Sequence, residues 1–406
     1  MKTVLFVEEQ MKQYRVPLYA ALHRMLGERD IRLLVAYSPP SEGDSGALDC
    51  LDLSAEYGLK VRGRRWLQGR LLYQPLLQQA LAADLVILDQ GNRFLLNYPL
   101  LLLSLLGMKK VAFWGMGPNR LAEPGAPSER LRRWTTSWVS WWFAYTSGTA
   151  EYVAKLGFPA ARITNVNNST DSVALRMLLA GISESEKLKL RAELGIGPED
   201  PVAVFCGRLH PMKNLPFLLQ SARRMREMCP RFHLILIGPR PEEIGATAGI
   251  ETSGWVHCAG PRFGREKAAL FSIADLLLMP GAVGLVIVDA FAAGLPLLTT
   301  VNGEHGPEIE YLESGVNGLM TSADIEQFAT ATSDLLSRRD YLAQLRRNAW
   351  NSGGRYSIEE MAHKFSVGIV ASLKGAGGDW ADRGQQIARN SVREGERIVR
   401  DHNQLG

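Results

Sequence analysis

Two cations close behind a short apolar run are the first residues with chemistry to offer. In "VAVFCGRLHPMKN" the run ends at Gly207, Arg208 follows, and Lys213 stands five residues further on. A helical pattern begins near Asn214 or Leu215. A guanidinium grips an oxygen pair as a fork, an ammonium acts as a point charge, and helix-start amides add donors. Together they suit a diphosphate. A solvated basic loop explains the same residues equally well. "PGAVGLVIVDAFAAG", Pro280–Gly294, is a second such place. Gly281, Ala282, Val283 and Gly284 leave small side chains ahead of an apolar helix. The amides of Gly284 and Leu285 are then open to phosphate or sugar oxygens. Asp289, one turn in, has the reach for a ribose diol, and a capped or paired core carboxylate is the competing reading. Gly238 in "LILIGPRP" lets backbone approach a ligand. Gly260 and Pro261 in "HCAGP" are placed to frame a flat base. Glu308 opens a helical turn in "HGPEIEY", near His305. No Asp-x-Asp pair occurs, so a metal bridging two phosphates by that motif is not expected, and neither is a bound cofactor.

These residues all sit just after short apolar runs, which must position them. "TVLFVE", "IRLLVAY", "DLVILD", "KVAFWG" and "FAYT" form one series. "VAVFCG", "FHLILIG", "HCAG", "DLLLMP" and "PLLTT" form another. Helical patterns such as "PLYAALHRMLGER" separate them, which predicts an α/β protein with parallel sheets buried on both faces. Two series in 406 residues predict two doubly wound domains facing across a cleft, with ligands at the carboxyl ends of strands. The expected boundaries are 1–180, 181–350, a helix in 351–375 that returns toward the first domain, and a charged tail over 376–406.

The net charge of +4 argues against nucleic acid as a partner. The four cysteines are scattered and form no CxxC pair, as in a reducing cytoplasm. "MKTVLFVEEQ" reads as a first strand and not as a signal peptide. "FLLNYPLLLLSLLGM" is too short for an uninterrupted membrane span. Lys60–Arg70, "KVRGRRWLQGR", holds five cations and no acid. Leu131, Trp134, Trp138, Trp141 and Trp142 follow at helical spacing. A basic loop beside a tryptophan face suits an anionic membrane surface. A solvated loop beside a core helix is the plainer alternative.

The order "GRLHPMKN", "LILIGP", "ADLLLMPGAVGLVIVDAFAAGLPLLTT", "HGPEIEYLESGVNGLM" resembles the family-4 retaining glycosyltransferases of GT-B fold. The segments "YRVPLYAAL", "DQGNRFLLNYPLLLL", "KVAFWGMGPNR" and "NNSTDS" look like the acceptor domain of a bacterial surface-polysaccharide branch. The resemblance implies two Rossmann-like domains, a nucleotide-sugar donor in the second and a lipid-linked or growing glycan acceptor in the first. It implies Arg208 and Lys213 on the leaving diphosphate, with Gly207, Gly238, Pro261, Gly281, Gly284 and Leu285 around the donor. Asp289 would hold the ribose, and Glu308 would lie near the donor sugar or phosphate. Acceptor-side candidates are Tyr14, Arg15, Asn92, Met116 and Asn119.

Two departures stand out. Relatives often carry a glutamate where Gly281 stands, and restoring it is expected to harm donor-sugar binding while sparing the bare nucleotide. Met116 replaces a histidine common at that strand end. The function expected is sugar transfer with retention, in O-antigen or exopolysaccharide assembly, at the inner face of the plasma membrane. A GT-B sugar-nucleotide epimerase and a non-catalytic donor-binding subunit are the alternatives.

Overall fold

The computed structural model describes residues 1–40, 49–118, 126–238 and 254–375; Asn119 and the charged segment 376–406 lie outside the described residues. Two compact units divide the chain. One holds Met1–Val166 and the chain from Ala362, the other Asn167–Met361.

The first unit contains β1 (Lys2–Gln10), β2 (Ile31–Ser38), β3 (Gly58–Lys60), β4 (Arg64–Trp66) and β5 (Leu71–Tyr73). It continues with β6 (Leu85–Asp89), β7 (Val111–Gly115), β8 (Trp141–Ala144) and β9 (Ile163–Asn165). Seven strands pair in the order β3-β2-β1-β6-β7-β8-β9, and every pairing is parallel. The order turns back between β1 and β6. Val4–Phe6, Leu85–Leu88 and Trp141–Ala144 are buried throughout, as a sheet covered on both faces demands. Phe365, on the helix Ile358–Lys374, packs against Phe6, Trp114 and Phe143. Lys110 Nζ donates to the carbonyls of Ser372 and Leu373 at 3.0 and 2.8 Å, which caps that helix's C-terminus.

The second unit contains β10 (Val202–Cys206), β11 (His233–Ile237), β12 (Val256–Gly260), β13 (Leu276–Leu278), β14 (Leu297–Thr300) and β15 (Gly318–Thr321). They form a six-stranded sheet, β12-β11-β10-β13-β14-β15, again wholly parallel. Its order turns back between β10 and β13. Thr299 and Thr300 at the end of β14 are buried, and each hydroxyl donates at 2.7 Å, to the carbonyls of Met279 and Pro280. Those bonds tie β14 to the segment leaving β13, where the glycine turn begins.

Four sequence expectations need correction. The unit boundary falls at Val166/Asn167, not at 180/181. The helix Ser172–Ala180 belongs to the second unit because Leu175 is buried with Ile182, Ala268 and Ala292. The segment 351–375 is not one helix. The helix Arg339–Gly353 ends inside it, and a new one starts at Ile358. Trp141 and Trp142 do not share a helical face with Trp134. The helix Pro127–Thr135 gives way to a 3-10 turn at Thr136–Trp138, and both tryptophans are buried in β8. The basic stretch Lys60–Arg70 is no plain loop but includes β4, the first arm of the antiparallel ribbon β4–β5. Among the described residues no helix is long and apolar enough to cross a membrane.

Candidate functional site

Three strand ends in the second unit are joined backbone to backbone. Gly207 N–H donates to Ile237 O at 3.0 Å, and Gly238 N–H donates to Gly260 O at 2.9 Å. Gly238 has φ +118°, and a Cβ there would lie 2.0 Å from Gly207 O. Only glycine permits that contact. Pro261 follows on the exposed loop after β12.

Beyond Gly207 the chain exposes Arg208 and makes a 3-10 turn at Pro211–Lys213. His210 Nδ1 accepts from Met212 N–H at 3.2 Å and caps that turn. Asn214 then takes the left-handed conformation, φ 51°, before the helix Leu215–Met228. This turn rests on the glycine turn after β13. Ala282 N–H donates to Met212 O at 2.7 Å, and Lys213 Nζ donates to Ala282 O. Burial pulls the Lys213 ammonium below the usual lysine value, Cys206 and Glu308 pull the other way, and Arg208 adds to the fall. An ammonium short of counter-charge beside an exposed guanidinium is a place where an anion is stabilised. Burial also pushes the Cys206 thiol up to about 12, so it stays protonated.

The glycine turn is braced from its other side. His305 Nδ1 accepts from Val283 N–H at 3.1 Å, and its Nε2 lies 2.7 Å from Thr300 O. That pattern defines a neutral ring with the proton on Nε2, since a carbonyl only accepts. Gly306 N–H donates to Val283 O at 2.7 Å. Glu308 is buried, and Asn168 Nδ2 donates to its Oε1 at 2.5 Å. A Cβ on Gly284 would meet nothing within 4 Å. The helix that follows starts at Val286, so the amides of Gly284 and Leu285 have no acceptor in a preceding helical turn. A Cβ on Gly281, in contrast, would lie 2.1 Å from Met212 O.

Asp289 already has partners. Thr170 Oγ1 donates to Oδ1 at 2.8 Å and Lys267 Nζ to Oδ2 at 3.0 Å. Burial lowers the proton affinity of Lys267, but Asp289 and Cys206 outweigh it and the net shift is upward. Asp289→Asn is therefore expected to lower the melting temperature, because it leaves a half-buried ammonium uncompensated; about 1–2 kcal/mol is expected for a partly exposed pair. Adding Lys267→Met should recover the loss, as thermal unfolding of both variants would show.

The structure thus brings Gly207, Arg208, Lys213, Gly238, Gly281, Gly284, Leu285, Asp289 and Glu308 to the carboxyl ends of one sheet. The described acceptor-side candidates follow the carboxyl ends of the neighbouring strands β1, β6 and β7 in the first unit. Arg15 is buried, 4.2 Å above the Trp114 ring. Tyr14 is exposed and stacks on Arg15. Asn92 Nδ2 donates to Ser128 O at 2.6 Å and so holds a loop. Met116 is 44% exposed, and its carbonyl accepts from Thr149 Oγ1 at 3.1 Å. Asn168, Thr170 and Lys267 were missed, because each meets its carboxylate from a distant part of the chain. Among the described residues no group of three His, Cys, Asp or Glu side chains is placed to hold a metal.

Two doubly wound Rossmann-like units with ligand-ready strand ends define a GT-B fold, and solved structures agree. Anabaena HepE in complex with UDP-glucose resembles this chain with TM-score 0.66 at 19% identity, over 91% of this chain and 100% of that one. The UDP-GlcNAc 2-epimerase from Neisseria meningitidis bound to UDP-GlcNAc does so with TM-score 0.61 at 14% identity, over 91% and 100%. Residues 200–338, which hold Arg208, Lys213, Asp289 and Glu308, match the family described as Glycosyl transferases group 1. A D-inositol 3-phosphate glycosyltransferase from Segniliparus rotundus is 29% identical over 202 residues. That match covers 47% of this chain and 44% of the relative, so the chain spans less than half the length of that curated relative.

Proposed function

We propose that the chain transfers a sugar from a nucleotide diphosphate sugar to a hydroxyl of a lipid-linked or growing glycan, with retention, in assembly of a bacterial cell-surface polysaccharide. The docking of the Arg208–Lys213 turn on the glycine turn carries this reading. It sets one exposed guanidinium and one charge-hungry ammonium beside open helix-start amides. Charge grows on the diphosphate as the glycosidic bond breaks, and donors fixed in advance lower the barrier there. Asp289 takes the ribose diol with the lone pairs that Thr170 and Lys267 leave free. Glu308 lies by the donor sugar or phosphate. Attack comes from the face that the diphosphate leaves, which gives retention without a carboxylate nucleophile. The phosphate charge is met by side chains and amides, so no metal is required.

The test is release of UDP from UDP-sugars. Release that requires a glycan acceptor supports transfer. Steady conversion of the UDP-sugar to its epimer without acceptor would instead support the epimerase reading, which the likeness to the Neisseria enzyme keeps in view. Binding of UDP-sugar with no turnover under any acceptor would support a donor-binding subunit. UDP at a hundredfold excess over its dissociation constant should raise stability by about 2.7 kcal/mol.

We also place the protein at the inner face of the plasma membrane as a peripheral protein. The β4–β5 ribbon exposes Trp66 and Leu67 at its tip, with Arg62, Arg64 and Arg70 exposed beside them. Arg65 is engaged with Glu9 at 3.2 Å and is not available. Replacing Arg62, Arg64 and Arg70 by Ser should reduce co-sedimentation with phosphatidylserine vesicles, since each cation near an anionic surface is worth about 1 kcal/mol. The reduction should be larger at low salt. Equal binding by parent and variant at both salt levels would remove the ribbon as an anchor.

A further inference from the structure

One peptide unit of the glycine turn after β13 is held at both ends by side chains. Ala282 O accepts from Lys213 Nζ, and Val283 N–H donates to His305 Nδ1 at 3.1 Å. That carbonyl and that amide belong to one planar trans unit, so they point in opposite directions. Turning the plane to break one bond breaks the other. The peptide units on either side are pinned as well. Ala282 N–H donates to Met212 O at 2.7 Å, and Val283 O accepts from Gly306 N–H at 2.7 Å. The second of these bonds aims the Gly284 N–H, which shares a plane with Val283 O, away from Gly306. Lys213 and the Gly284 amide are thus set by consecutive peptide planes, and His305 holds the middle one.

His305 is the member of this arrangement that can change state. It is buried at 8% exposure. Gly303 makes room for the ring, since a Cβ there would lie 2.3 Å from His305 Cε1. With Nε2 donating to Thr300 O at 2.7 Å, Nδ1 is left as the acceptor. Proton uptake at Nδ1 sets an N–H against the N–H of Val283, and the bond becomes a repulsion. Val283 and Thr300, which hold the ring from neighbouring elements, do not titrate. Lys213 stands at the far end of the peptide, with Arg208 and His210 on the same stretch of chain. Glu304, Glu308 and Glu310 lie on the segment of His305 itself, and Glu308 is engaged by Asn168. His210 also accepts a backbone N–H through Nδ1, but it is exposed and its bond stays inside its own turn.

On the donor-binding reading of these turns, we propose that His305 is a positioning residue for the diphosphate grip. Neutral, it fixes the Ala282–Val283 peptide and through it the Lys213 ammonium. Protonated, it frees the peptide, and the grip on the diphosphate loosens. The sign follows from the hydrogen bonds. Only the neutral ring fits the turn, so the grip is complete above the titration of His305 and is lost as pH falls through it. The added charge of an imidazolium acts the other way, because it attracts a diphosphate. The direction of the change therefore separates positioning from simple charge.

The test is calorimetric UDP affinity over roughly pH 8 to 5, where histidine titrates, for the full chain, His305→Asn and His305→Gln. Asparagine presents an oxygen that does not titrate where Nδ1 stood. Glutamine reaches toward Thr300 O and leaves Val283 N–H bare. At neutral pH His305→Gln should bind UDP about tenfold more weakly, the loss expected of one buried donor without an acceptor. His305→Asn should regain most of that loss. Toward acid pH the parent should weaken more than His305→Asn, whose remaining slope belongs to His210 and to the terminal phosphate of UDP. Nitrogen NMR of the ligand-free, histidine-labelled chain should find Nδ1 unprotonated at neutral pH. Parental affinity in His305→Gln, equal acid slopes in parent and His305→Asn, affinity that rises as the ring charges, or a proton on Nδ1 at neutral pH each overturns the proposal. Equal losses of UDP affinity and melting temperature in the two variants mark a merely structural ring and overturn it too. GDP and ADP are titrated beside UDP. A parent that binds none of them removes the donor reading of the turns and this inference with it, whereas tight binding that neither variant alters removes the inference alone.

Discussion

With Arg208 and Lys213 both replaced by alanine, kcat/KM for the nucleotide sugar falls by roughly 100- to 1000-fold and the fold survives. A charge-assisted hydrogen bond to a phosphate contributes about 1.5–3 kcal/mol, and about 1.4 kcal/mol is a factor of ten. The two cations share one anion, so their losses do not simply add. Arg208 is exposed, so its loss barely touches stability. Lys213 loses its bond to Ala282 O as well, which is a modest cost of about 1 kcal/mol. The pH dependence has a definite sign. Burial lowers the Lys213 proton affinity, and only the charged form attracts a diphosphate. Donor affinity should therefore decline on the alkaline side, at a lower pH than for an ordinary lysine, and that decline should vanish in Lys213→Ala. Steady-state kinetics and UDP calorimetry from neutral to alkaline pH provide the check. Unchanged kinetics in the double variant would take both residues out of the site.

The strands that carry the site were readable because a parallel strand covered on both faces is a bare apolar run. Each quoted run corresponds to a strand, from "TVLFVE" in β1 to "PLLTT" in β14. The strands that escaped notice are β3, β4, β5, β9 and β15. They are three or four residues long, only partly buried and mostly polar or mixed, so neither run length nor alternation marks them. The tryptophan series shows how spacing can mislead. Trp134 and Trp138 stack edge to face at 4.5 Å, yet the chain straightens at Val139 and the next two tryptophans enter the sheet. The glycine turn after β13 was legible as small residues ahead of a helix. The partners of Asp289 were not, since Thr170 and Lys267 lie 119 and 22 positions away.

Gly281→Glu is expected to weaken UDP and UDP-sugar alike, each by tenfold or more, and to lower the melting temperature. The sequence suggested that a restored glutamate would disturb the donor sugar alone. The structure overturns that expectation through one close approach. A Cβ at position 281 would sit 2.1 Å from Met212 O, 2.5 Å from the Lys213 carbonyl carbon and 2.7 Å from Lys213 Cα. These are backbone atoms, so no rotamer change relieves the clash and the Pro211–Lys213 turn must move. That turn positions Lys213 and accepts the Ala282 amide, so its displacement breaks two bonds of the site at once. Forcing extra atoms into a packed place costs about 1–3 kcal/mol. In a unit of this size each kcal/mol lowers the midpoint by roughly 2–4 °C. Gly281→Ala carries the same Cβ without the carboxylate and should reproduce most of both effects, which separates sterics from charge. Calorimetry with UDP and with UDP-glucose, beside thermal unfolding of both variants, distinguishes the outcomes. A Gly281→Ala protein with parental UDP affinity and melting temperature would show that the two turns are not locked together. Gly281 would then be open to a glutamate.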